Sequence, residues 1–190
     1  EHAKAPINPY GKSKLMVESL LKDFDAAYGI KSCSLRYFNA AGGDPDFKIK
    51  YQQKKESNLI PLILKSLKNE AGSITIYGTD YDTKDGTCIR DYIHIQDLSL
   101  AHILSMEKLM QENQSSCYNL GNGNGFSVKE AIEAAERITK LKVNVKEGAR
   151  RAGDPPVLIA DSKKASQELN WKPIYPSLEK MIEHAWRAMN

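Results

Sequence analysis

A tyrosine and a lysine stand four residues apart in Asn8-Pro9-Tyr10-Gly11-Lys12-Ser13-Lys14, just ahead of an apolar series that recurs at helical spacing: Met16, Val17, Leu20, Leu21 and Phe24. Asn8 suits a helix N-cap and Pro9 the first turn, so the pattern predicts a helix starting here. Residues i and i+4 share a helix face, which brings the phenol of Tyr10 and the ammonium of Lys14 to one small site. A phenol with a reference pKa of about 10 is ionised only about one time in a thousand at neutral pH, a cost of roughly 4 kcal/mol. A neighbouring cation lowers that cost. The pair could therefore serve as a general acid/base near pH 7, although Y-x-x-x-K also occurs on helices by chance.

At 190 residues the chain has room for one or two domains. A net charge of +3, without a Lys/Arg run, gives no basic groove for nucleic acid. Cys33, Cys88 and Cys117 are far apart and odd in number, which reads as reduced thiols in a cytosolic protein. The four histidines are scattered, so no metal site is expected. No apolar run has the length of a membrane helix.

Along the chain, Gly29 offers a stop for the first helix, and 32–38 reads as a strand ending in the small-residue loop 39–43. Open α/β sheets place ligands at such strand ends. Phe38 could flank a planar ring there or lie in the core; Asn39 could donate to a phosphate or sugar oxygen or simply turn the chain. Residues 44–57 read as an exposed loop. A second helix is expected over 58–68, ended by Gly72, then a strand over 74–77, a turn-rich segment over 78–86 and an extended stretch over 87–95. That stretch carries Arg90, whose guanidinium is a natural phosphate partner. Asp97 is the expected N-cap of a helix to about Met110, with His94 and His102 as structural residues. Residues 117–120 read as a strand. The glycines at 121, 123 and 125 lack the G-x-G-x-x-G spacing and read as punctuation before a Ser127/Glu130 capping box and a helix to about Thr139. A strand over 142–145 leads to Arg150, Arg151 and Asp154 in a proline-braced loop that could hold a diphosphate and a ribose hydroxyl, or be a salt-bridged turn. Helices over 163–169 and 178–189 close the chain.

Six stretches now point one way: Pro9-Tyr10-Gly11-Lys12-Ser13-Lys14, Leu35-Arg36-Tyr37-Phe38-Asn39-Ala40-Ala41-Gly42, Asn58-Leu59-Ile60-Pro61, Asp85-Gly86-Thr87-Cys88-Ile89-Arg90-Asp91-Tyr92-Ile93-His94, Tyr118-Asn119-Leu120-Gly121 and Arg150-Arg151-Ala152-Gly153-Asp154. Together they resemble the UDP-glucose 4-epimerases of the extended short-chain dehydrogenase/reductase group, in the family's order and over nearly the whole chain. The resemblance implies an α/β fold, the C-terminal part of a Rossmann-like doubly wound sheet interleaved with a smaller α/β substrate-binding domain. Residues 1–45 would be a remnant of the NAD-binding domain, with 87–121 returning to it. Residues 46–86 and 122–190 would form the UDP-sugar domain.

By the same resemblance Tyr10 is the acid/base, Lys14 holds the nicotinamide ribose of NAD, and Phe38 packs near the nicotinamide. Asn39, Arg90 and Arg151 would hold the diphosphate, Asn58 and Leu59 would line the substrate side, Thr75 and Tyr77 would border the uracil, and Asp154 would meet the uridine ribose. The implied reaction interconverts UDP-glucose and UDP-galactose through a transient 4-keto sugar. Leu158, four residues after Asp154, stands where a bulky Tyr restricts the pocket of some members, so N-acetylhexosamine substrates are an expectation as well. The family's helix with the Tyr-Lys pair also contributes to a homodimer interface. The chain opens Glu1-His2-Ala3-Lys4 without a Met, and the family's glycine-rich NAD turn and catalytic Ser/Thr do not occur in it. It is therefore expected to be a fragment that binds NAD poorly and is inactive alone. The alternatives are a nucleotide-sugar 4,6-dehydratase or decarboxylase on the same fold, or a non-catalytic UDP-sugar-binding remnant.

Overall fold

The computed structural model describes residues 3–50, 56–68, 70 and 72–190. Part of the loop expected over 44–57, residues 51–55, lies outside them, as do Glu1 and His2. The chain folds as α1 (Pro9–Tyr28), β1 (Cys33–Tyr37), β2 (Asn39–Ala41), α2 (Leu59–Leu67), β3 (Ile74–Tyr77), β4 (Ile89–His94), α3 (Ile95–Glu112), β5 (Ser116–Leu120), β6 (Gly125–Ser127), α4 (Val128–Thr139), β7 (Val145–Gly148), β8 (Val157–Leu158), α5 (Lys163–Glu168) and α6 (Leu178–Ala188).

The helix ends follow their capping residues. The Asn8 side chain accepts from the Gly11 N–H, Pro9 occupies the first turn of α1, and Gly29 closes it in the left-handed conformation. Ser127 and Glu130 form the expected capping box on α4. Asp97, in contrast, is not a cap. The ring of His94 accepts from the Gln96 N–H and starts α3 three residues earlier, while Asp97 is fully buried and accepts from the Ile174 and Tyr175 N–H groups. Nor does Gly72 end α2, which closes at Leu67 with Lys68 as its cap. The strand expected over 142–145 lies instead at Val145–Gly148, because it is the parallel pairing of Ile74 with Val145 through Tyr77 with Gly148 that sets its limits.

Two parallel pairs meet where the chain passes from β1 to β2. β1 runs beside β5, from Cys33 opposite Ser116 to Tyr37 opposite Leu120. After Phe38 the chain changes partner, and β2 pairs with β4, Asn39 opposite Tyr92. The small residues of 39–41, expected as loop, thus form a strand. β4 is also flanked by antiparallel β6 and by β8. Two hydrophobic clusters result. One joins α2, β3, α4 and α6 around Leu64, Met181 and Ile182; the other, around Ile93, Tyr118, Leu120 and Trp171, joins β4, β5, α3 and the segment after α5. Apolar burial at about 25 cal/mol per Å² stabilises both. α1 has no buried residue at all, and Met16 is 65% exposed, Leu20 55% and Phe24 45%. Among the described residues no helix is long and apolar enough to cross a membrane.

Candidate active site

Tyr10 lies in the first turn of α1, 72% exposed. The Lys14 ammonium stands 5.3 Å from the centre of its ring, as the four-residue spacing requires. The start of α1 adjoins the 150–154 loop, since a Cβ built on Gly153 would be 4.0 Å from the Asn8 Cβ and the Ile7 carbonyl. The helix carrying Tyr10 and the loop carrying Arg151 and Asp154 therefore border the same region.

Arg90 is positioned by its own strand and by that loop. One guanidinium nitrogen donates to the Ile89 carbonyl at 2.9 Å and the Pro155 carbonyl at 2.8 Å, and the other meets Asp154 at 3.4 Å. Backbone acceptors on one edge leave the rest of the planar fork for a second partner. Asn39, one strand over, donates from its amide to the Asp91 carbonyl at 2.8 Å, which fixes its rotamer and leaves the other N–H and the amide oxygen for a ligand. Phe38 bonds through its backbone to the Leu120 carbonyl at 3.3 Å and is half-buried.

Thr75 and Tyr77 alternate with the buried Ile74 and Ile76, so both point away from the core cluster. The Arg151 guanidinium lies 3.7 Å over the Tyr77 ring. Its neighbour Arg150 stacks 4.3 Å over Tyr81 and pairs with Asp80 at 2.8 Å, holding that carboxyl below the usual range. The two arginines thus divide: Arg150 is tied to the 78–86 turn, and Arg151 rests on an aromatic face. Asn58 is the exposed N-cap of α2, its side chain making no capping bond, with Leu59 half-buried behind it. The Asn58 carbonyl accepts from the Leu62 N–H at 3.1 Å as the first bond of that helix.

One functional element was missed by sequence reasoning. Asp91 is completely buried, and its carboxylate accepts from the N–H groups of Asn122 at 2.9 Å, Gly123 at 3.0 Å and Ala160 at 3.1 Å. The glycines of 121–123 are more than punctuation: a Cβ on Gly121 would be 2.5 Å from the Asp91 carboxylate oxygen. The loop wraps that carboxylate as backbone N–H groups wrap a bound anion, and so clamps the strand that presents Arg90. The signal available in sequence was an aspartate within a β stretch, where a charge requires compensation.

A family model described as GDP-mannose 4,6 dehydratase matches residues 1–185. The chain belongs to that family. Its similarity to individual members bears out the expected resemblance. A UDP-glucose 4-epimerase of Halalkalibacterium halodurans is 49% identical over 181 residues, 95% of this chain and 54% of that protein. The crystal structure of the UDP-glucose 4-epimerase from Brucella ovis, in complex with NAD, superimposes with a TM-score of 0.93 at 41% identity, over 99% of this chain and 58% of that one. The UDP-Glc/GlcNAc 4-epimerase of Campylobacter jejuni is 44% identical, with a TM-score of 0.76 over 97% of this chain and 56% of that one. The expected α/β, Rossmann-like fold of this family is thus the fold observed, and the chain spans about half the length of the curated relatives it matches.

Proposed function

We propose that this chain supplies the acid/base pair and the nucleotide-sugar site of a UDP-glucose 4-epimerase. The observation that carries the reading is the meeting of Tyr10–Lys14 with the Arg90–Asp154 loop at one region. Tyr10 takes the proton of the sugar C4 hydroxyl and returns it, and the Lys14 ammonium favours the phenolate while it exists. Arg90 and Arg151 grip the diphosphate with Asn39, Thr75 and Tyr77 flank the base, Asp154 meets the ribose, and Asn58 and Leu59 lie on the sugar side. A site that holds the nucleotide by charge, and the sugar only loosely, lets the sugar present either face to one acid/base.

The residues fit the nicotinamide end of NAD. Tyr10 and Lys14 are both exposed, which leaves them accessible to a ribose. Tyr10, Lys14 and Phe38 would hold that end. NAD supplies a reversible hydride acceptor. The 190 residues contain no G-x-G-x-x-G turn for its pyrophosphate, so that grip has to come from elsewhere. We assign 1–45 and 87–121 to a dinucleotide-binding domain and 46–86 and 122–190 to a UDP-sugar domain; most of the cluster around Leu64 and Met181 comes from the latter, with Ala41 and Tyr92 joining it, and Ala165, Leu169 and Trp171 join the cluster around Ile93 and Tyr118. The exposed stripe on α1 suits a homodimer, and the free thiols of Cys33, Cys88 and Cys117 suit the reducing cytoplasm.

In a protein that contains this chain and a dinucleotide-binding segment, UDP-galactose is expected to convert to UDP-glucose with added NAD. Tyr10→Phe is expected to lower kcat by about 10²- to 10⁴-fold, the usual worth of a positioned acid/base. Wild-type protein that binds both ligands without interconverting them would overturn the reading. The half-exposed Leu158 and the likeness to a Glc/GlcNAc epimerase favour UDP-N-acetylglucosamine as a second substrate in the same assay. The name of the family model favours one other reading, a 4,6-dehydratase, and formation of a 4-keto-6-deoxy sugar would support it instead.

A further inference from the structure

Two histidines from distant parts of the chain meet outside the site. His94, at the end of β4, and His184, in α6, are 3.1 Å apart between Nε2 and Nδ1; both are buried. The other nitrogen of His94 is committed, because Nδ1 accepts from the Gln96 N–H at 3.0 Å as the cap of α3. An accepting Nδ1 places the single proton of a neutral His94 on Nε2. That proton is donated to Nδ1 of His184, whose own proton must then sit on Nε2. The two hydrogen bonds allow one arrangement of protons, and it is neutral.

The 42–49 segment is laid over this pair. Gly42, at φ +96°, approaches His94 so closely that a Cβ would be 2.5 Å from its ring, and a Cβ on Gly43 would be 2.5 Å from the His184 carbonyl oxygen. Phe47, a non-glycine residue at φ +56°, meets the His184 ring edge-on at 5.8 Å between centres and has the Arg187 guanidinium 4.0 Å from the centre of its own ring. Tyr175 packs against both histidines, 4.6 Å and 5.2 Å away by ring centres.

We propose that His94 and His184 form a one-proton lock, which fastens the start of α3 and the 42–49 segment to α6 while neutral and opens when the pair takes up a proton. A proton on His94 Nδ1 destroys the α3 cap. A proton on His184 Nδ1 sets two N–H groups against each other, unless His94 shifts its proton to Nδ1 and gives up the cap. Either way one buried hydrogen bond is lost.

The surroundings do not relieve this. The ring of Tyr175 and the 42–49 backbone bring no anion to the pair. On α6, Glu183 favours the charged form of His184, but Lys180 and Arg187 oppose it and both pair with Glu183, at 2.9 Å and 3.6 Å. Burial, with a contribution from His184, lowers His94 to about 4, and burial chiefly lowers His184 as well. Asp44 is held below the usual carboxylate range by backbone N–H groups, first that of Ile49, so it stays ionised through the window concerned. Because the closed state resists protonation, its stability is complete above the ordinary histidine pKa of about 6.5 and falls as the pH drops from there toward 4. The segment connects Asn39 to the part of the chain that leads to Asn58, so any effect on substrate binding rests on the function proposed above; the lock itself does not.

Amide hydrogen exchange on the whole chain, corrected for the intrinsic pH dependence, tests it without ligand. Opening of residues 43–49 and of 96–98 is expected to rise together by about twentyfold between pH 7 and pH 5, as linkage through His94 alone gives for about 6.5 open and about 4 closed. In His94→Asn/His184→Gln, which keeps a capping oxygen and an acceptor but cannot titrate, the rise is expected to fall below about twofold. An unchanged rise in that variant overturns the proposal. Should the variant not fold, the ring ¹⁵N shifts of the wild-type protein decide: both rings neutral with the proton on Nε2 at pH 7 supports the lock, and an imidazolium or the opposite tautomer on either ring refutes it.

Discussion

Asp91 sits next to Arg90 in sequence yet does an opposite job. Its side chain is wholly inside, where a carboxylate survives only if its lone pairs are used, and three backbone N–H groups use them. Desolvation is the largest influence on it and raises its pKa, with the three N–H groups acting the other way. Removing the carboxylate leaves those buried donors unpaired, at about 1–3 kcal/mol each before relaxation. Asp91→Ala is therefore expected to lower the unfolding free energy by about 3–5 kcal/mol in urea titrations, and Asp91→Asn, which retains one accepting oxygen, by roughly half as much. An alanine variant within about 1 kcal/mol of wild type would mean that the 121–123 loop does not depend on the carboxylate.

Among the elements, α1 is attached most thinly. With no buried residue, it is tied to β1 through Glu18, which takes two hydrogen bonds from Arg36 and one from Lys4. The bond from Arg36 is the largest cause of the fall of the Glu18 pKa to about 2. A carboxylate depressed from 4.5 contributes its stability above about pH 4.5 and loses it as the pH falls toward 2. Arg36 is one-third exposed, so the tie is worth about 2 kcal/mol after allowance for solvent screening. Amide exchange of α1 is expected to accelerate relative to α4 between pH 5 and pH 3, and Glu18→Gln to show that faster exchange already at pH 7. Equal protection of α1 in variant and wild type would place its attachment elsewhere.

Taken as a whole, the described residues bury two apolar clusters and leave the apolar face of α1 uncovered. Met16, Leu20 and Phe24 form an apolar stripe on α1 that a protein of this size rarely leaves to water. Sedimentation velocity is expected to show concentration-dependent association, and Leu20→Lys with Phe24→Lys to reduce it at least tenfold in apparent dissociation constant. A monomer at all concentrations would remove the α1 face from the proposed homodimer. The helix itself was legible from Asn8, Pro9 and an apolar period of 3.6, as were the capping box on α4 and β1, because these depend on residues within a few positions of one another. The closeness of Tyr10 and Lys14 was legible for the same reason, since a four-residue spacing fixes a shared face. What covers α1 was not, because periodicity names the apolar face of a helix without naming its partner.

The errors share a physical origin. Asp97 has the chemistry of a cap, but buried donors at Ile174 and Tyr175, nearly eighty residues away in the chain, claim its carboxylate, and His94 takes its place. Residues 39–41 look like a turn until β4 supplies the ladder that makes them a strand. Local sequence determined the helices, most of the strands and the chemical types available for a site. Only the tertiary structure decided that Asp91 closes the glycine loop, that Arg90 is oriented by Pro155 and Asp154, and that two histidines ninety positions apart share one proton path. The reason is that hydrogen bonds and burial act through space: the partner that satisfies a buried polar group is set by how the chain packs, which no local spacing encodes.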